Sequence, residues 1–304
     1  MIPKLIINGA AGRMGRRIVA LAVEGGYFDI IGAVDKAGHP DIGKDAGVPA
    51  GTGALGVKIA SDYPTGADVM IDFSLPDAAG AVIGYCEKNK VALVMGTTGL
   101  SDEQVARLQA AAKKIPVVWA SNMSVGMNVL FRLVGKVAQM LGNDYDIEIV
   151  ESHHRYKKDA PSGSAITLAR NIAGETDRDW PACAVYGRKG KDTLRKAGTI
   201  GMHSVRAGDI TGEHSVIFST LGETVTLNHR AHNRYTFAGG ALRAARWVVG
   251  KGPGVYSMGD VLGMKEAPGD ANPKPADTDT KPKNTKKSSQ HTDIKTSKFE
   301  PDKK

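Results

Sequence analysis

Through the first 120 residues, short apolar runs alternate with stretches of helical length, and few folds accommodate that pattern. Leu5–Ile7, Ile30–Val34, Val69–Phe73, Val91–Met95 and Val117–Ala120 read as strands, apolar on both faces. Arg13–Glu24, Ala78–Asn89 and Asp102–Lys114 lie between them and read as helices. Strands of this kind need cover on both sides, and helical crossovers return the chain to the same edge, so the spacing predicts a parallel sheet between two helical layers. Ser101 and Gln104 form a capping box around Asp102-Glu103, which starts one helix directly after a glycine loop.

Beyond about Val125 the pattern changes to alternating strands with close turns. Asp146–Ile149, Thr199–Arg206, His214–Leu221 and Thr224–Arg230 alternate, and Gly222-Glu223 reads as a tight connection. A helix at Ala165–Ala173 accompanies them, and Phe237–Val249 returns to helical spacing as if to pack back on the first half. The expected class is α/β: a Rossmann-like dinucleotide-binding domain with a parallel sheet (1–124 and 235–264), plus a second α+β domain with a mostly antiparallel or mixed sheet (125–234). At roughly 150 residues per domain, a chain of 304 residues holds about two such cores.

Residues 265–304 turn to Lys, Asp, Thr, Ser and Pro and read as a disordered tail. From Pro268 onward this tail holds 9 Lys against 6 Asp and Glu, so it supplies +3 of the net charge of +8. The rest is only mildly basic and lacks the interleaved basic and aromatic residues of a nucleic-acid binder, so no nucleic-acid partner is expected. Two distant cysteines, Cys86 and Cys183, form neither a disulfide framework nor a thiolate metal cage. With no signal-peptide pattern at Met1–Ile7 and no apolar run near the roughly 18 residues of a span, a cytoplasmic protein without a membrane partner is expected.

Gly9-Ala10-Ala11-Gly12-Arg13-Met14-Gly15 follows the first strand and opens a helix, where glycines allow close approach of a pyrophosphate and free amides hold its charge. Aligned on Gly12 and Gly15, the usual first glycine is Ala10, and a purely structural turn is the competing reading. Asp35 ends the second strand about 20 residues on, where an acid accepts from ribose hydroxyls. Lys36 beside it would pair with a 2′-phosphate that Asp35 repels, so NADH and NADPH are both expected cofactors. Gly96-Thr97-Thr98-Gly99 and Ala120-Ser121-Asn122-Met123 also leave the carboxyl ends of strands, where ligands bind in open sheets, although ordinary strand-to-helix turns would look alike.

The stretch from Glu151 to Ser164 carries the most chemistry. His153, His154, Arg155, Lys157 and Lys158 place potential cations within six positions, and Pro161-Ser162-Gly163-Ser164 then opens a helix whose first-turn amides attract a carboxylate. A helix end and a few point charges suit a small dianion better than a long polyanion. His153 and Lys157 are candidate proton donors. His203, His214, His229 and His232 lack convincing ligand spacing, and no metal site is expected.

On these residues the chain resembles the 4-hydroxy-tetrahydrodipicolinate reductase (dihydrodipicolinate reductase) family over about residues 4 to 264. Glu151 to Ala165 matches that family's E-x-H-H-R-x-K-x-D-A-P-S-G-T-A pattern. The Gly9–Gly15 loop, Gly96–Gly99, Asn122–Asn128 and Arg206–His214 support it. The resemblance implies nucleotide contacts at Gly9, Ala10, Ala11, Gly12, Arg13, Met14, Asp35, Lys36, Gly96, Thr97, Thr98, Ala120, Ser121, Asn122 and Met123. It implies proton donation by His153 and Lys157, and binding of a small dicarboxylate substrate at His154, Gly163 and Ser164, where Ser164 replaces the usual threonine. It also implies a homotetramer built through the sheets of the second domain.

Because cofactor and substrate would bind different halves, a hinge near Ser124 and Arg234 is expected. Two alternatives stay open. One is another two-domain dehydrogenase, although a semialdehyde enzyme needs an active-site cysteine, and Cys86 falls in a predicted helix while Cys183 falls in a proline-flanked loop. The other is a nucleotide-sensing or nucleic-acid-binding regulator that uses the lysine-rich tail.

Overall fold

The computed structural model describes residues 1–264, and the tail read as disordered lies outside the described residues. The first sheet takes its strands in chain order from β1 (Lys4–Asn8), β2 (Asp29–Val34), β3 (Ile59–Ala60), β4 (Val69–Asp72), β5 (Ala92–Met95) and β6 (Pro116–Trp119). Helices α1 (Arg13–Gly25), α2 (Gly47–Ala50), α3 (Ala79–Asn89) and α4 (Asp102–Ala111) connect them. Then follow α5 (Val125–Leu141), β7 (Asp146–His153), α6 (Gly163–Glu175), β8 (Ala184–Tyr186), β9 (Ile200–Arg206), β10 (Glu213–Thr220) and β11 (Glu223–Arg230). The chain closes with α7 (Tyr235–Val248), β12 (Gly254–Tyr256) and α8 (Met258–Val261).

The first sheet runs β12-β6-β5-β4-β1-β2-β3 with every pairing parallel. Alternation along its strands divides the core into two layers. Leu5, Ile7, Val69, Ile71 and Val94 pack with Ile18, Ala241 and Ala245 on the side of α1 and α7. Ile6, Met70, Leu93 and Val117 pack with Val82, Ile83 and Leu108 on the side of α3 and α4. The late helix α7 lies against α1, β4, β5 and β6, so the chain does return to the first half. The capping box of Ser101 and Gln104 is present at α4.

The second sheet, β11-β10-β7-β9-β8, is mixed: β10 is antiparallel to β7 and β11, whereas β9 is parallel to β7 and β8. Residues 125–141 depart from the expected strand pattern and form the longest helix, capped where Ser124 accepts from the Met127 amide. Met127, Leu130, Phe131, Val134 and Ala138 face the core at helical spacing. α5 meets α6 at Gly135, where an added Cβ would stand 2.6 Å from the Asn171 carbonyl oxygen. Together they cover the face of the sheet bearing Ile147, Ile149, Val216 and Phe218. The opposite face carries Ser215, Ile217, Thr226 and Asn228, half-buried to exposed in the single chain. Among the described residues, no helix is long and apolar enough to cross a membrane, and no group of histidine, cysteine and carboxylate side chains is arranged to hold a metal ion.

The strands of the first sheet end along one edge, with the order reversing between β1 and β4, and that reversal opens the crevice where ligands enter such sheets. Gly15 lets α1 close onto the loop after β1: a Cβ there would sit 2.1 Å from the Gly9 carbonyl oxygen and 2.5 Å from Ala10 Cα. Gly15→Ala therefore forces backbone apart and is expected to lower the unfolding free energy by about 1–3 kcal/mol, the range for overpacking a close contact. Urea denaturation measures it, and an unchanged midpoint would refute the contact.

Candidate active site

At the nucleotide end, Gly9 has φ +76 and turns the chain sharply out of β1. Gly12 caps α1 with backbone alone, and neither a side-chain cap nor an acidic residue occupies the first turn. The amides of Arg13 and Met14 are thus left for an anion. Asp35, at the end of β2, accepts from the Ala11 amide at 2.9 Å and the Lys36 amide at 2.9 Å, which ties the acid to the loop and leaves lone pairs for a hydroxyl donor. A glycine-bounded, uncapped helix end beside a fixed carboxylate fits a dinucleotide.

Asp72 holds this edge together. It is fully buried at the end of the central strand β4, and it accepts from Asn8 Nδ2 at 2.6 Å, Ser74 Oγ at 2.6 Å and Thr97 Oγ1 at 2.6 Å. The loops after β1, β4 and β5, including Gly96, Thr97 and Thr98, are therefore fixed to one buried side chain. The Ala120–Met123 segment reaches the other half of the molecule, because Asn122 Nδ2 donates to Ser164 Oγ at 3.0 Å.

At the chemical end, Glu151 is 1% exposed on β7. Arg206 grips it with both terminal nitrogens, at 2.9 Å and 2.7 Å, and the Ser162 amide donates at 3.1 Å. His153 Nδ1 lies 2.5 Å from its other side. Burial pushes the Glu151 carboxyl up, but hydrogen bonds from His153, Arg206 and Ser204 outweigh it and hold the group well below the usual carboxylate range. An ionised Glu151 fixes the Nδ1 proton of His153, so Nε2 is the nitrogen free to exchange a proton. Arg206 also donates to the Asp159 carbonyl at 2.7 Å, and Lys157 Nζ lies 2.8 Å from the Asp159 carboxylate.

His154 and Arg13 line one cavity of about 610 Å³ together with Arg17, Thr211, His232 and Arg234. Burial, then Arg13, Arg234, His153 and Lys157, push the His154 pKa down. Arg234 is likewise lowered by burial and by Arg13. Four arginines and two histidines outnumber the one carboxylate of the lining, Asp209, so the cavity favours an anion. Gly163 and Ser164 open α6, whose cap Ser162 accepts from the Ala165 amide and leaves the two preceding amides without intrahelical acceptors. The thioester alternative loses its nucleophile: Cys86 is fully buried in α3, Cys183 is buried before β8, and burial pushes both thiols up.

Several of these groups have no signal in sequence spacing. Arg206 and Glu151 stand 55 positions apart and meet because β9 pairs with β7. His214 and His229, read as unremarkable, lie opposite each other across β10 and β11 and touch the N-cap serines of α6 and α5. Only the register of the sheet reveals either grouping.

Residues 3–123 match the family model described as dihydrodipicolinate reductase, N-terminus, and residues 126–262 match that of its C-terminus. The 4-hydroxy-tetrahydrodipicolinate reductase of Alkalilimnicola ehrlichii is 48% identical over 267 residues, covering 87% of this chain and 100% of the relative. That of Geobacter sulfurreducens is 47% identical over 265 residues, covering 86% and 99%. Among solved structures, a dipicolinate-bound dihydrodipicolinate reductase from Paenisporosarcina sp. TG-14 has a TM-score of 0.67 at 24% identity over 84% of this chain and 98% of that one, a likeness of fold.

Burial, helped by His153 and His229, pushes His214 down to about 3 in the folded state, while an unfolded histidine titrates near 6.5. The unfolded chain therefore takes up the proton first. Stability is complete above about pH 6.5 and falls as the pH drops toward 3, each such histidine contributing up to about 1.4 kcal/mol per pH unit. Between about pH 6.5 and 5.5 ordinary carboxylates stay almost fully ionised, so His214→Gln is expected to flatten the slope of unfolding free energy in urea titrations at stepped pH. Equal slopes would contradict the shift.

Proposed function

The chain belongs to the dihydrodipicolinate reductase family, and from that premise we propose that it reduces 4-hydroxy-tetrahydrodipicolinate to tetrahydrodipicolinate on the diaminopimelate route to lysine, using NADH or NADPH. The observation that carries this reading is the shared cavity, into which the helix opened by the glycine loop brings Arg13 and the chemical stretch brings His154.

The residues that would hold the dinucleotide are Gly9, Ala10, Ala11, Gly12, Arg13 and Met14 at the diphosphate, Asp35 and Lys36 at the adenosine ribose, and Gly96, Thr97, Thr98, Ala120, Ser121, Asn122 and Met123 along the crevice. Loss of the ring hydroxyl as water leaves a cyclic, conjugated imine dicarboxylate; the reduced cofactor, when bound, supplies a hydride to one end of its conjugated system, and a proton from the protein goes to the other end. This chain does the rest. The amides and hydroxyl of Gly163 and Ser164 bind one carboxylate at the positive end of α6, and His154, on the same half, holds the anion from the loop after β7. His153 gives up the Nε2 proton while Glu151 retains Nδ1, and Lys157 is the second donor on the same side. Closure about Ser124 and Arg234 excludes water and brings the two walls together.

The uncovered face of the second sheet supports a homotetramer assembled through Ser215, Ile217, Thr226 and Asn228. We place the reaction in the cytoplasm, a reading that two unpaired buried cysteines support.

Coupling the protein to a synthase that makes the heterocycle from pyruvate and aspartate semialdehyde, and following NADH and NADPH oxidation separately, tests the reaction. His153→Ala and Lys157→Ala are expected to lower kcat by about 10²- to 10⁴-fold, the span of general acid catalysis, with dinucleotide Kd little changed. Parallel losses in kcat and dinucleotide affinity would refute the assigned roles. Light scattering should give four chains per particle, and Ile217→Lys should give fewer.

A further inference from the structure

We infer that His214 and His229 are positioning residues for this reaction, a cross-strand pair that sets the N-terminal ends of α6, which bears the carboxylate contacts, and of α5, which follows directly on the Ala120–Met123 segment. The register places His214 opposite both His229 and Glu151, so one polar row crosses three strands at the rim of the core. Val216 and Phe218, next along the same face, are fully buried.

Each ring meets the cap of one helix. Ser162 Oγ lies 3.2 Å from His214 Nε2 and accepts from the Ala165 amide at 3.2 Å, so the hydroxyl's single proton is free to go to the ring. Ser124 Oγ lies 3.2 Å from His229 Nε2 and accepts from the Met127 amide at 3.2 Å. The His229 ring rests on the first turn of α5, where a Cβ at Gly126 would stand 3.2 Å from its Cδ2. The two helix ends are joined a second time through Asn122, which donates to Ser164 and accepts from the Ser124 amide at 2.9 Å.

The two histidines therefore do different work. His214 sets the α6 end, where Gly163 and Ser164 receive the carboxylate. His229 sets the point where the chain crosses between sheets, because Ser124 Oγ also lies 3.0 Å from Thr236 Oγ1 at the start of α7. Both crossings, at Ser124 and between Arg230 and Tyr235, are pinned to one ring.

The kinetic arm of the test rests on the proposed reduction and the spectroscopic arm does not. His214→Leu and Ser162→Ala are each expected to raise KM for the cyclic dicarboxylate about tenfold, the worth of one buried hydrogen bond, and together no more than either alone. His214→Gln, which returns an amide to the place of Nε2, should recover most of the loss, and dinucleotide Kd should stay constant. His229→Leu should lower kcat and leave that KM in place. In protein carrying ¹⁵N-histidine, the Nε2 resonance of His214 should move in Ser162→Ala, and that of His229 in Ser124→Ala, whether or not turnover is seen. Multiplicative losses in the double variant, no recovery by Gln, or unmoved resonances would overturn the inference. If His214→Leu does not fold, Ser162→Ala, His214→Gln and their combination decide by the same criteria. Shifted resonances in a wild type that reduces nothing would uphold the helix positioning and count against the reaction instead.

Discussion

Glu151 is an anion taken out of water on the middle strand of the second sheet, and its charge has to be met before that strand can take its neighbours. Arg206 meets it with two parallel hydrogen bonds, and the pairing of β7 with β9 sets the two side chains in reach. Removing one partner of such a pair leaves a buried charge and costs about 3–5 kcal/mol, so the contact fixes register as well as chemistry. The same guanidinium fixes the Asp159 carbonyl, and with it the loop that carries Lys157. One ion pair thereby orients His153 through Glu151 and places Lys157.

Asp72 plays the corresponding part in the first sheet by different means. It too sits at the C-terminal end of the central strand, but four polar donors rather than a guanidinium satisfy it: Asn8, Thr97, and the hydroxyl and amide of Ser74. On the proposed reading the difference follows from what each edge would bind. A neutral set of donors fixes three loops without adding a positive charge that would draw a diphosphate away from the amides of α1. At the other edge, where a dianion would be the guest, extra cations would do no harm.

What could be read from the sequence follows from how local each signal is. The glycine loop, the capping box at Ser101 and the stretch from Glu151 to Ser164 are short-range patterns, and each stands where expected in the fold. The helix at 125–141 was legible from its i, i+3, i+4 spacing and was obscured by the strands that follow. The parallel pairing of β9 with β7 was also within reach, since α6 between them is the kind of crossover that parallel strands need. Strands of two or three residues such as β3, β8 and β12 have no period of their own and exist because a neighbour's edge is available. Arg206, His214 and His229 acquire meaning only from cross-strand register. His232 lies beyond the end of β11, so strand alternation does not relate it to His229, and alternation says nothing of the ring lying opposite.

The split of the site between two halves has an electrostatic consequence. Arg13 stands on α1, while His154 and Arg234 belong to the other wall and to the crossing segment, and each of the latter two is pushed down by its neighbours as well as by burial. A lowered pKa on a cationic group means that the protein makes its charge costly. On the proposed closure, bringing these walls together without a guest works against like charges, whereas a dicarboxylate between them would turn the repulsion into attraction for both walls at once. Substrate charge and cleft closure would in this way be the same event, and hydride delivery would be confined to the state in which the anion is already held at α6.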